Sequence, residues 1–192
     1  VPIKQTKRVM PVLIGKQSFI EKDLRYVIRS AAPEDAAELS ALRLRIDGET
    51  ENLDRVPGEA HLDPAAFREV IERDSALPTN LFLVAEAETG LLGFARCEGS
   101  ELQRLAHRVT FGVGVLREAW GYGIGKNLLA ESIAWADSNG IHKIALSVLA
   151  TNEKAIRLYE RYGFETEGVL KDNKRLADGD YYDTVMMGRL KK

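Results

Sequence analysis

The sequence predicts a single α/β or α+β domain with a mixed central sheet flanked by helices. Three observations carry the prediction. Apolar residues recur with a period of two in some segments and at helical spacing in others. These segments run in the order strand, two helices, three strands, helix, strand, helix, two strands, an order that indicates layered structure rather than a bundle or a sandwich. A length of 192 residues, 45% of them hydrophobic and 29% charged, suits one ordinary globular domain that needs no disulfides.

Residues 1–24 show neither period and are punctuated by Pro2, Pro11 and Gly15, so they read as an N-terminal arm; the patterned domain runs over 25–192. "RYVIRSA" (25–31) alternates as a short strand. "PEDAAELSALRLRI" (33–46) opens on proline, carries acids in its first turn and spaces Leu39, Leu42 and Ile46 as a helix does. "LDPAAFREVIERD" (62–74) repeats the Asp-Pro start and sets Phe67, Val70 and Ile71 on one face. Between these helices "DGETENLDRVPGEAH" (47–61) is a polar loop too long for a simple connection; loops of that kind are often functional, and it is a candidate substrate-side segment.

"LFLVAEAETGLLGFARCEG" (81–99) reads as two strands joined around 88–90, and "HRVTFGVGVL" (107–116) as a third. After a glycine loop, a helix from about Gly125 to Asn139 buries Leu129, Ile133 and Ala136 and stops at Asn139-Gly140. The strand "HKIALSVLA" (142–150) follows. "NEKAIRLYERY" (152–162) is the last helix, with Ala155, Leu158, Tyr159 and Tyr162 on one face and Gly163 as its stop. The final strands, "FETEGVL" (164–170) and "YYDTVMMGRL" (181–190), flank a charged loop containing Asp178-Gly179.

A net charge of -2 gives no general attraction to nucleic acid or anionic lipid, so no nucleic acid partner is expected. No apolar stretch is long enough to span a bilayer, and residues 1–24 carry charges in place of a signal peptide's apolar core, so a cytoplasmic protein without membrane contact is expected. Cys97 stands alone, which excludes an internal disulfide and a cysteine metal cluster; within a strand it reads as a small core residue. His61, His107 and His142 are scattered without ligand spacing, and no metal is expected.

The stretch "EAWGYGIGKNLL" (118–129) brings Gly121, Gly123 and Gly125 into a helix start, where unpaired N–H groups and the helix dipole favour anions. A Walker loop ending at Gly125-Lys126 would need glycine where Trp120 stands and a hydroxyl where Asn127 stands. The dinucleotide spacing fails as well, because Gly121 and Gly123 are followed by Lys126, and Gly123 and Gly125 by Leu128. In the preceding strand Phe111, Val113 and Val115 share one face, while Thr110, Gly112 and Gly114 leave the other almost bare. Two readings follow: a backbone track for an amide-bearing linear ligand whose phosphates reach the helix, or a tight corner packed on its own chain.

"VGVLREAWGYGIGKNLL" followed by "LSVLATNEKAIRLYERYGF" resembles the acetyl-CoA motif and its downstream partner in the GNAT N-acetyltransferase superfamily, over roughly residues 25–190. The resemblance implies a GNAT-like splayed sheet in which two parallel strands part to admit the pantetheine arm of acetyl-CoA, the co-substrate. It implies cofactor contacts from the backbone at Val113, Gly114 and Val115, and from the loop Trp120, Gly121, Tyr122, Gly123, Ile124, Gly125 and Lys126 around the pyrophosphate. Trp120 stands where the family commonly has Gln or Arg, so backbone amides rather than that side chain are expected to hold the phosphates.

The resemblance further implies direct acetyl transfer to a primary amine, with Tyr159 as the acid that protonates the leaving thiolate. Asn152 matches a cofactor-contacting residue and is also placed as a plain N-cap; Tyr162 is expected to pack. For the general base Glu51, with Glu49, His107 and Glu98, are the candidates, and Glu49, Glu51 and His107 the substrate-side residues; an amine can also lose its proton to water. Asp183, Tyr181 and Tyr182 could line the acceptor site, although strand-face packing accounts for them. Without strong charge asymmetry the acceptor is expected to be a small amine or amino acid. The alternative function is a non-catalytic acyl-CoA sensor on the same fold. The arm could cover a sheet edge or a partner subunit, so a homodimer is a further expectation.

Overall fold

The computed structural model describes residues 12–191. Its strands are β1 (Gln17–Glu21), β2 (Leu24–Ser30), β3 (Leu81–Ala87), β4 (Gly90–Gly99), β5 (Arg108–Val115), β6 (Lys143–Leu149), β7 (Glu165–Arg175) and β8 (Tyr181–Leu190). Its helices are α1 (Ala36–Glu49), α2 (Pro64–Ala76), α3 (Ile124–Ser138) and α4 (Glu153–Arg161). All strands join one sheet in the order β1-β2-β3-β4-β5-β6-β8-β7. Every neighbouring pair is antiparallel except β5 and β6, which makes the sheet mixed as the element order predicted.

Local chemistry fixes where the helices start. Ahead of α1, Pro33–Asp35 form a 3-10 turn, and Arg29 of β2 clasps both oxygens of Asp35 at 2.7 and 2.8 Å. The guanidinium and carboxylate form a bidentate pair that ties the strand to the helix entry. Asp63 caps α2 by accepting the Ala66 N–H at 2.8 Å, with Pro64 in the first turn where its missing N–H costs nothing.

Side-chain alternation then splits the core into two layers. Phe82 and Phe94 face α1 and α2, where Phe82 meets Phe67 of α2 and Phe94 lies 3.0 Å from the Cβ position of Gly114. On the opposite face Cys97 and Phe111 lie under α3 and α4, Phe111 meeting Tyr159 of α4 edge to face. Cys97 is fully buried, and burial pushes its thiol up to about 12. An aromatic disulfide reagent should therefore leave the native protein unlabelled and report one thiol only in denaturant; labelling at neutral pH without denaturant would contradict this packing.

The decisive feature lies between β5 and β6. They pair over only Arg108↔Lys143, Val109↔Ile144 and Thr110↔Ala145. On their outer sides β5 continues against β4 as far as Val115↔Gly93, and β6 against β8 as far as Leu149↔Thr184. From Phe111 and Leu146 onward the two strands diverge into a wedge that opens toward the glycine loop.

Two departures from the sequence reading have local causes. Residues 17–21, placed in the arm, form edge strand β1; Phe19 stacks on Tyr26 at 5.5 Å, but Ile20 beside it is 66% exposed, so apolar residues on both faces hide the period. Residues 1–11 of that arm lie outside the described residues. Strand β7 continues five residues past 170 to Arg175 through a charged run, Lys171 to Arg175, that carries no apolar alternation. Among the described residues no helix is long and apolar enough to cross a membrane.

Candidate active site

The wedge has one wall of β5 backbone. Leu116 donates its N–H to Leu92 of the β4 side at 2.9 Å. Backbone direction alternates along a strand, so Gly112 and Gly114 also turn toward β4, while Phe111, Val113 and Val115 turn toward the gap. Gly112 has nothing within 4 Å of its Cβ position, whereas that of Gly114 is filled by the Phe94 ring and by Ile46 at 3.5 Å. The bare face expected from "TFGVGV" is thus open at Gly112 only; at Gly114 the missing side chain serves the protein's own core.

The mouth of the wedge is the glycine loop. Gly121 and Gly123 take φ of 85° and 71°, the left-handed region that favours glycine. Gly123 is the N-cap of α3, and the first helical bond runs from Asn127 N–H to Gly123 O at 2.9 Å. The N–H groups of Ile124, Gly125 and Lys126 accordingly have no partner in a preceding turn and form an anion-seeking cluster. The Cβ positions of Gly121 and Gly125 meet nothing closer than 3.7 and 3.8 Å. An open cradle of backbone donors results.

Trp120 takes no part in that cradle through its indole N–H, which donates to Val115 O at 2.8 Å. The Arg117 guanidinium lies over its ring at 5.7 Å. This changes the expected track: the Val115 carbonyl already has a protein donor, leaving Val113 and the Val115 N–H as the backbone groups turned to the gap. Beneath the loop, Tyr26 of β2 donates to Tyr122 O at 3.3 Å and accepts from the Asn127 amide at 2.7 Å. Lys126 pairs with Glu21 of β1 at 2.7 Å, and this bond holds the Glu21 carboxyl below its usual range. The sequence offered no sign of Glu21 or Tyr26 at this place, because each is about a hundred residues away along the chain.

Across the wedge, α4 turns Tyr159 back against β5. Its ring lies between Phe111 at 6.5 Å and Phe164 at 5.7 Å, and it is 8% exposed. Burial raises its phenol to about 12, so the group is a proton donor throughout the neutral range. Asn152 caps α4 through Oδ1, which accepts the Ala155 N–H at 3.3 Å, the structural role foreseen for it. Its amide nitrogen makes no hydrogen bond among the described residues. Tyr162 is half-buried against the core.

The acceptor-side candidates divide. Glu49 ends α1 and accepts the Arg117 N–H at 2.7 Å, with Arg45 3.6 Å away, so its carboxylate clamps the segment between β5 and the loop. Glu51 is exposed, and Oε1 accepts the Ala177 N–H at 2.7 Å; Asp54 reaches Lys174 at 2.6 Å. These two bonds fasten the polar 50–63 loop to the β7–β8 hairpin. His107 is removed from the site: its carbonyl accepts from His142 and Lys143, at the closed end of the wedge. The whole of β5, about 25 Å, separates it from the loop. Glu98 is bound by Arg96 and shares that half of β4. Asp183 accepts from Lys171 and from Asp172 N–H, and Tyr182 donates to Asp178, so both serve the hairpin; Tyr181 is exposed under Arg175. Among the described residues no group of three or more His, Cys, Asp or Glu is placed to hold a metal.

Comparison with known proteins agrees with this geometry. Residues 49–164, more than half of the chain, match the model of the acetyltransferase (GNAT) family. The chain is 32% identical over 110 residues to the L-amino acid N-acetyltransferase AaaT of Escherichia coli (strain K12), a match covering 57% of this chain and 67% of that protein. It is 36% identical over 89 residues to the mycothiol acetyltransferase of Paenarthrobacter aurescens (strain TC1), covering 45% of this chain and 28% of that protein. The match therefore spans less than a third of the latter. Among solved structures, a GNAT-family acetyltransferase from Streptococcus pneumoniae superposes with a TM-score of 0.82 at 28% identity, covering 86% of this chain and 99% of that one.

Proposed function

This chain belongs to the acetyltransferase (GNAT) family, and from that premise we propose that it carries an acetyl group from acetyl-CoA directly to the primary amine of a small molecule or amino acid. The observation that carries the reading is the wedge itself, with a glycine cradle at its mouth and a protonated phenol in its side. Acetyl-CoA supplies the activated acetyl group as a thioester. The residues present suit it: Val113 offers a backbone edge to the pantetheine amides, and the N–H groups of Ile124, Gly125 and Lys126 offer donors to the pyrophosphate. The open space at Gly121 and Gly125 lets phosphate approach that backbone closely.

Tyr159 has the proton that a leaving thiolate needs, and no hydrogen bond among the described residues holds that proton elsewhere. Asn152, at the start of α4, has an amide nitrogen with no partner among the described residues, free to donate. For the amine's proton the reading keeps Glu51, whose Oε2 has no partner among the described residues, acting through water. Glu51→Gln should lower kcat/KM about ten-fold with acetyl-CoA affinity unchanged; an unaltered value gives the proton to solvent instead. The likeness to a protein named for L-amino acids supports an amino acid acceptor.

The experiment that tests the reading is a thiol-release screen with acetyl-CoA against amino acids, small amines, polyamines, aminoglycosides and peptides. Acceptor-dependent release is expected. Acetyl-CoA binding without release across the panel would favour a sensor on this fold, and no binding at all would overturn the proposal. The buried Cys97 contributes no background to such a screen.

A further inference from the structure

The β1–β2 turn lies outside the 49–164 region of family resemblance, yet it leans on the glycine loop. Glu21 and Leu24 are register partners, so Lys22 and Asp23 are its two corner residues. Lys22 takes φ 57°, the left-handed region that a residue with a side chain adopts at a cost. From there its ammonium lies over the Tyr122 ring, 5.1 Å from the centroid. It also stands 3.7 Å from the Cβ position of Gly121, at the open side of the cradle.

The neighbouring cations are already committed. Lys126 holds Glu21 at 2.7 Å, and the Arg117 guanidinium is bonded to the Glu49 carbonyl. Lys22 has no ion pair among the described residues. The carboxylate that occupies Lys126 comes from β1 and sits against the loop, Glu21 Oε1 lying 2.9 Å from the Cβ position of Gly123. A phosphate entering the cradle would meet a neutralised Lys126–Glu21 pair and backbone dipoles, with no donor from the Trp120 indole, whose N–H is bonded to Val115. One full positive charge on the turn offsets this, and a lysine ammonium pairs with phosphate as a mobile point charge.

We propose that Lys22 is a phosphate-binding residue of the acyl-CoA site, supplied by the N-terminal hairpin in place of the side chain that Trp120 cannot provide. The inference rests on the acetyl-CoA reading above. Calorimetry with CoA needs no knowledge of the acceptor. Lys22→Ala should weaken CoA about ten-fold and flatten the salt dependence of binding, while Lys22→Arg keeps most of the affinity. Pantethine, which has no phosphates, should bind wild type and Lys22→Ala alike. Dephospho-CoA separates the sources: a loss that persists assigns Lys22 to the pyrophosphate, and one that vanishes assigns it to the 3′-phosphate. Equal CoA affinity in Lys22→Ala and wild type overturns the inference and leaves the acetyl-CoA reading standing. Wild type that binds no CoA overturns both.

Discussion

Tyr159→Phe should bind acetyl-CoA as tightly as wild type and turn over at least a hundred-fold more slowly, within the range that a positioned acid contributes. Only one oxygen is removed. The ring contacts with Phe111 and Phe164 remain, so thermal unfolding should be almost unchanged and the loss can be read as chemistry. The pH profile adds a second check. A phenol raised to about 12 is protonated below that value and loses its proton only as pH rises through it. A fall in wild-type rate between about pH 8 and 10 must then come from another group, and Tyr159→Phe should keep any such limb at its lower rate. Turnover equal to wild type would remove Tyr159 from the reaction.

Bulk in the cradle should separate binding from folding. Gly123→Val and Gly125→Val are each expected to weaken acetyl-CoA at least ten-fold by calorimetry, because a branched side chain keeps phosphate off the backbone donors. Their stabilities should differ. Gly123 sits at φ 71° with the Glu21 carboxylate 2.9 Å from its Cβ position, so valine there adds left-handed strain of about 1–2 kcal/mol and displaces Glu21 from Lys126. Gly125 has no positive φ, and its Cβ position clears Val115 by 3.8 Å. Gly125→Ala should therefore fold at least as stably as wild type, since alanine is the better helix former, and keep its affinity within about three-fold. Gly125→Val binding like wild type would mean that the loop is a structural corner.

What the sequence made legible was local. Alternation in "TFGVGV", the glycine spacing and the amphipathic 152–162 segment each announce themselves within a dozen residues, and together they placed β5, the cradle and Tyr159. The supports beneath the cradle were not legible, because Tyr26 meets Tyr122 and Asn127, and Glu21 meets Lys126, across about a hundred residues with no pattern linking them. Gly114 shows the limit within a motif: glycine marks a close approach, but only the fold reveals that the approaching group is Phe94. His107 shows another. Its closeness in sequence to the glycine strand suggested a site residue, yet a strand is long, and the residue before it lies at the far end.

The wedge also bears on how this protein avoids sticking to itself. A sheet ordinarily has two edges, here β1 and β7, whose unpaired backbone invites other chains. The parting of β5 from β6 creates two more, inside the sheet. Each is flanked at once by its outer neighbour, β4 or β8, and the Phe111–Tyr159 contact brings α4 across one face of the opening. A polypeptide strand carries bulk on both faces at every second residue and would collide there. A slender thread such as pantetheine, with amides and no branches beyond one gem-dimethyl and one hydroxyl group, would not. An opening that suits such a thread better than a strand would make these inner edges poor templates for aggregation.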